Sequence, residues 1–161
     1  NELIKNIVRM SLNNGLKPLV LVRRIPHGIH LEEELGVPFI HGGCDFEYRQ
    51  KRIMEFENDK IPALISSTIM DEGVDIKNFN VLIIASGGRS YVKTLQRVGR
   101  SLRRTDHKTS VLVFDFNDVQ NTYTKKHSAR RYKIYAKTFA NVQFSEPEEI
   151  PSIIQCFKES F

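Results

Sequence analysis

Residues 19–22 read LVLV, directly behind Pro18, and this uninterrupted apolar run decides the fold class. A strand with one face in water alternates apolar and polar residues, whereas four consecutive aliphatic residues need cover on both faces. The pattern recurs in ALIS at 63–66, behind Pro62, in VLIIAS at 81–86 and in SVLVFDF at 110–116, with a weaker instance in VPFIH at 37–41. Continuous rather than alternating hydrophobicity predicts a mostly parallel sheet buried between helices.

The intervening segments carry helical spacing. Leu3, Ile7 and Met10 precede the first run, and Gly15 is placed to end their helix. HGIHLEEELG follows the first run, Phe46, Ile53 and Phe56 mark a helix over about 45–58, and Tyr91, Leu95, Val98 and Leu102 mark another. This alternation predicts a three-layer α/β domain with right-handed crossovers. Beyond the last run, residues 120–140 read as one basic helix and VQFSE at 142–146 as a short edge strand. EEIPSIIQCFKESF reads as a terminal helix, with Pro151 tolerated in its first turn.

The chain has 161 residues, enough for one domain with a sizeable core. It contains no apolar run of the roughly 18 residues that could span a bilayer, and no signal-peptide pattern. The expectation is a soluble protein of the cytoplasm, bacterial or of a phage-infected host, without a membrane partner. Cys44 and Cys156 are far apart and the five histidines are scattered, which argues against a metal site or a disulfide framework.

Charge is segregated along the chain. Residues 32–59 hold eight acids against three bases, whereas 89–108 hold seven bases against the single acid Asp106. Between Asp118 and Glu146 there is no acid, while Lys125, Lys126, Arg130, Arg131, Lys133 and Lys137 contribute six cations. Such a second half suits a polyanion, although a solvated surface has the same composition.

The stretch LQRVGRSLRR at 95–104 sorts its cations by face. At about 100° per residue, Tyr91, Leu95, Val98 and Leu102 form the apolar stripe; Gln96, Arg100 and Arg103 form a second face; Lys93, Arg97 and Arg104 form a third. Arg100 and Arg103, three residues apart, can converge, and two guanidinium forks beside a glutamine suit a phosphoryl oxygen. Gly99 leaves room for close backbone approach. Upstream, SSTIMDEGVDI at 66–76 follows the end of a predicted strand, where open α/β sheets bind ligands. Ser67 and Thr68 could hold a backbone phosphate, Gly73 a tight turn and Asp75 a ribose hydroxyl; a simple turn and cap would also account for Gly73 and Asp75.

In combination, these segments resemble the second RecA-like domain of superfamily 2 helicases and translocases. LVLVRR at 19–24 is similar to that family's motif IV, and IHG at 40–42 with RQKR at 49–52 to the adjoining segment. SSTIMDEGVDI resembles motif V, and QRVGRSLRR at 96–104 matches the motif VI form Q-x-x-G-R-x-x-R. The order and spacing agree over roughly 17–116.

The resemblance implies a RecA-like fold of the P-loop NTPase type. It also implies ATP with Mg²⁺ held between two such domains, with the Mg²⁺ ligands on the N-terminal one. Arg100 and Arg103 would be arginine fingers reaching the γ-phosphate, with Gln96 and Gly99 beside them and Asp75 and Gly73 on the ribose side. Ser67, Thr68, Gly42 and Arg49 would touch the nucleic-acid backbone, Arg97 would act on nucleic acid or on domain packing, and Arg52 would pack its own helix. In the basic segment Tyr132, Tyr135 and Phe139 read as a docking stripe, leaving Lys125, Lys126 and Arg130 to meet phosphates.

No G-x-x-x-x-G-K-[ST] loop or D-E-x-[DH] stretch occurs, so the resemblance implies a C-terminal motor half, inactive in ATP hydrolysis alone, over 1–118 with a helical appendage over 119–161. Gln96 stands where DEAD-box RNA helicases have histidine, which favours DNA over RNA. VLVFDFND with KKHSARRYKIY is most similar to phage and bacterial DNA helicases of recombination and repair. A non-catalytic nucleic-acid-binding module that retains the fold is the alternative.

Overall fold

The computed structural model describes residues 1–67, 76–85, 110–116, 129, 131–137 and 141–160. Within these residues the order is α1 (Glu2–Asn13), β1 (Pro18–Val22), α2 (Ile25–Leu35), β2 (Phe39–Ile40), α3 (Phe46–Glu57), β3 (Leu64–Ser67), β4 (Val81–Ile84) and β5 (Leu112–Asp115). Helical residues 131–137 (α4), a 3-10 turn at Pro147–Glu149 and α5 (Ile150–Glu159) follow. The five strands form one sheet in the order β2-β3-β1-β4-β5, and every pairing is parallel.

The LVLV run is the central strand. Val20 and Val22 face a core layer with Ile65, Ile83 and Ala85, covered by Ile4, Ile7 and Val8 of α1, Leu31 of α2 and Ile150 and Ile154 of α5. Leu19 and Leu21 face the opposite layer with Leu64, Leu82 and Ile84, covered by Ile53 and Phe56 of α3 and Tyr135 of α4. Burying each aliphatic side chain contributes about 1.5–3 kcal/mol, so a polar residue anywhere in this run would forfeit a core contact on one face or the other.

Helix ends fall where the local chemistry places them. Gly15 takes φ +71° just beyond α1, and Gly36 takes φ +66° as the left-handed cap of α2. At these angles a Cβ is disfavoured. Pro151 occupies the first turn of α5, where its missing N–H costs nothing. Gly28 serves a different purpose: a Cβ there would lie 2.2 Å from the Phe39 ring, so α2 approaches β2 as closely as it does only because Gly28 has no side chain.

One sequence expectation is corrected. VQFSE at 142–146 forms no strand. The Glu146 N–H is already bound by the Glu149 carboxylate at 2.7 Å, in a capping box that opens the 3-10 turn. Val142 packs on the α3 side of the core and Phe144 stacks on Tyr132, so side chains rather than a ladder hold this segment. The helix marked by Phe46, Ile53 and Phe56 forms as Phe46–Glu57, with Ile53 and Phe56 in the core and Phe46, its first residue, 67% exposed.

The acidic stretch is largely consumed inside the molecule. Glu32 accepts the Phe39 N–H at 2.9 Å, Glu34 pairs with Lys5, and Glu55 with Arg52. At the amino-terminal edge of the sheet, Glu57 accepts the Lys77 N–H and Asp59 pairs with Lys17, whose ammonium also lies 4.6 Å from the centroid of the Phe56 ring. Lys5 is almost wholly buried between Glu2 and Glu34, and this contact holds both carboxyls below their ordinary range.

Candidate functional site

In a parallel sheet all carboxyl ends share one edge, and loops from that edge carry the ligand contacts of open α/β folds. Following the strand order, the edge presents His41, Gly42 and Gly43 after β2, Ser67 at the end of β3, Arg23 and Arg24 after β1, Ala85 after β4, and Asp115 with Phe116 at the end of β5.

The loop after β2 is a tight turn. The Cys44 N–H donates to the His41 carbonyl at 3.0 Å, and the Gly43 N–H donates to His41 Nδ1 at 3.1 Å, fixing that nitrogen as an acceptor. The His41 ring packs beside Phe39 at 5.0 Å between centroids. Gly42 is exposed, with open space where a Cβ would stand, so a backbone phosphate could approach it without obstruction. Ser67 is buried in register with Val22, while Ser66 Oγ donates to the Ser67 carbonyl at 2.9 Å and thereby holds the strand end.

On α3, Arg49 is half-buried, and its Nε lies out of solvent with no hydrogen-bond partner among the described residues. Arg52 pairs with Glu55 at 2.8 Å and lies over the Tyr48 ring at 5.1 Å, the packing role expected of it. Thus Gly42 stands in the turn after β2, Arg49 on the helix that follows it, and Ser67 at the end of β3. Thr68, Gly73, Asp75, Gln96, Arg97, Gly99, Arg100, Arg103, Lys125, Lys126 and Arg130 lie outside the described residues.

At the other end of the edge is a buried polar network that sequence reading passed over. Arg131, 3% exposed, donates from Nε to Asp115 Oδ2 at 2.7 Å and from Nη2 to the Phe116 carbonyl at 3.1 Å. Tyr135 donates its hydroxyl to the same Oδ2 at 2.5 Å, and the Phe116 N–H donates to Oδ1 at 2.9 Å. Burial, then the Asp115 charge, pushes the Tyr135 phenol well above its ordinary value, so it remains a donor. The signal available in sequence was the acid inside an otherwise apolar strand, FDF at 114–116, which needs a partner once buried.

Of the two described residues of the expected docking stripe, Tyr135 is buried and Tyr132 lies at the surface; Phe139 is outside the described residues. Arg131 therefore belongs to the interior, although composition groups it with the basic surface.

Residues 2–105 match the family described as helicase conserved C-terminal domain. The chain belongs to this helicase family. The matched residues are a C-terminal, RecA-like domain of the superfamily 2 helicase type. The helicase domain is 33% identical over 114 residues to helicase 22 of Sulfolobus islandicus filamentous virus, covering 68% of this chain and 20% of that protein. To the DNA 3'-5' helicase Rad25 of Haloarcula marismortui it is 27% identical over 118 residues, covering 73% of this chain and 19% of the relative. The chain thus spans about a fifth of the length of these relatives. Among solved structures, S. cerevisiae Dbp5 bound to RNA and ADP BeF3 superposes with a TM-score of 0.65 at 15% identity, covering 98% of this chain and 41% of Dbp5. The five-stranded parallel sheet is the RecA-like fold expected from the sequence.

Among the described residues, no group of three or more His, Cys, Asp or Glu side chains is placed to hold a metal ion, and no helix is long and apolar enough to cross a membrane.

Proposed function

We propose that this domain is the C-terminal motor half of an ATP-dependent DNA helicase or translocase, with residues 1–118 as the motor and 119–161 as an appendage. In this reading it contributes arginine fingers to an ATP held with Mg²⁺ against the N-terminal RecA-like domain. The observation that carries the proposal is the Q-x-x-G-R-x-x-R segment from Gln96 to Arg103, lying within the family match over 2–105.

Phosphoryl transfer depends mainly on positioning and charge stabilisation, and the bound Mg·ATP would supply the group transferred. Arg100 and Arg103 would neutralise charge developing on the γ-phosphate oxygens, Gln96 would orient beside them, and Gly99 would permit close approach. Asp75 would accept from the ribose, with Gly73 shaping its loop. Gly42, Arg49, Ser67 and Thr68 would follow the nucleic-acid backbone along the carboxyl edge, with Arg97, Lys125, Lys126 and Arg130 adding cationic contacts. The exposed Gly42 turn and the position of Ser67 at the end of β3 support that track. Gln96 supports DNA over RNA in this reading; the relatives include both the DNA helicase Rad25 and the RNA helicase DDX52.

The test is Arg100→Ala and Arg103→Ala in the full-length protein. Nucleic-acid-stimulated ATP hydrolysis should fall by about 10³-fold or more while ATP binding is retained. Normal turnover in either variant overturns the assignment.

A further inference from the structure

The Tyr132 and Phe144 rings form a surface pair that neither the core nor the motor motifs use. Their centroids are 4.8 Å apart and their planes are inclined by 14°, a stacked geometry. Phe144 is nevertheless 69% exposed and Tyr132 36% exposed. Docking of α4 does not require the pair, since Tyr135 and Arg131 already anchor that helix in the interior, and Val142 anchors the segment that carries Phe144.

Both rings lie in the span between Asp118 and Glu146 that contains no acid, and Lys133 and Lys137 on the helix of Tyr132 are exposed, as are Glu146, Glu148 and Glu149 beyond Phe144. Exposed aromatic rings on a segment that also carries exposed lysines are a composition that binds single-stranded nucleic acid, in which bases stack on rings while phosphates meet lysines. A buried apolar interface would instead be depleted of lysine.

We infer that Tyr132 and Phe144 form a stacking platform for an unpaired nucleic-acid base, outside the helicase motifs, so that the appendage grips the strand by its bases while the carboxyl edge follows its backbone. This inference rests on the nucleic-acid reading above. The pair offers π-faces and no base-edge hydrogen-bond pattern, so the grip is tolerant of sequence.

The test uses the full-length protein and two single-stranded DNA oligonucleotides of equal length, one with bases and one abasic, read by fluorescence anisotropy. Phe144→Leu keeps apolar bulk and removes the ring, Phe144→Tyr restores the ring, and circular dichroism confirms that each variant folds. Phe144→Leu should weaken binding of the normal oligonucleotide about five-fold or more, leave the abasic one within about two-fold, and be rescued by Phe144→Tyr. Unchanged binding of the normal oligonucleotide overturns the platform while leaving the nucleic-acid reading intact. An equal loss on both oligonucleotides, as would follow if the pair packs against another part of the protein, also overturns it. Failure of the wild-type protein to bind either oligonucleotide refutes the nucleic-acid reading itself, and the platform with it.

Discussion

Replacing Arg131 with methionine removes a guanidinium that is 3% exposed and holds α4 to the end of β5 through Asp115 and the Phe116 carbonyl. The Asp115 carboxylate, 12% exposed, would then lose its cation while remaining out of water. Breaking a buried pair from one side costs about 3–5 kcal/mol, because an uncompensated charge is left behind. Asp115 would keep the Tyr135 hydroxyl and the Phe116 N–H as donors, which places the expected cost at the lower end, about 3 kcal/mol.

The control is Arg131→Met combined with Asp115→Asn. It carries no charge; its single amide oxygen can accept the Phe116 N–H while its NH2 donates to the Tyr135 hydroxyl, so it should recover at least about half of the loss. Urea unfolding followed by far-UV circular dichroism measures both, since the chain has no tryptophan to report by fluorescence. A single-mutant cost below about 1 kcal/mol would be that of an exposed ion pair. That result, or a double mutant no more stable than Arg131→Met, would refute the account of a buried charge network.

Two further stability outcomes follow from the packing. Gly28→Ala should destabilise by about 1–2 kcal/mol, because a Cβ 2.2 Å from the buried Phe39 ring outweighs the helix-propensity gain of about 0.5–1 kcal/mol; adding Phe39→Leu should recover part of the loss in the same unfolding assay. Glu2 and Glu34 have carboxyl values lowered chiefly by their hydrogen bonds to Lys5, so their contribution is present above the ordinary carboxyl value near 4.5 and is lost as pH falls through the lowered one. Melting temperature measured from pH 6 downward should therefore drop less steeply below about 4.5 in Lys5→Met than in wild type, and parallel curves would count against the Lys5 pairing.

Much of the fold was legible because burial on both faces leaves a direct trace in composition. LVLV, ALIS and VLIIAS became β1, β3 and β4 within a residue or two, and Gly15 and Pro151 stand at helix ends as their backbone chemistry requires. VQFSE was misread because its alternation satisfies a strand pattern, while the capping box at Glu146 and the ring contact at Tyr132 are set by partners elsewhere in the chain. Of the candidate site, Ser67 ends β3, where the strand-end rule placed the segment it opens, and Gly42 stands in the turn after β2.

The sequence by itself determined the parallel α/β class and the helicase C-terminal membership, because contiguous aliphatic runs and an ordered set of motifs are local properties of the chain. Only the tertiary structure decided that β1 is the central strand, that most of the acidic stretch is consumed in internal ties, and that Arg131 and Tyr135 turn inward while Tyr132 stays at the surface. The reason is physical: a charged or aromatic side chain has the same composition whether buried or exposed, and its role depends on which distant residue the fold brings within hydrogen-bonding or stacking distance.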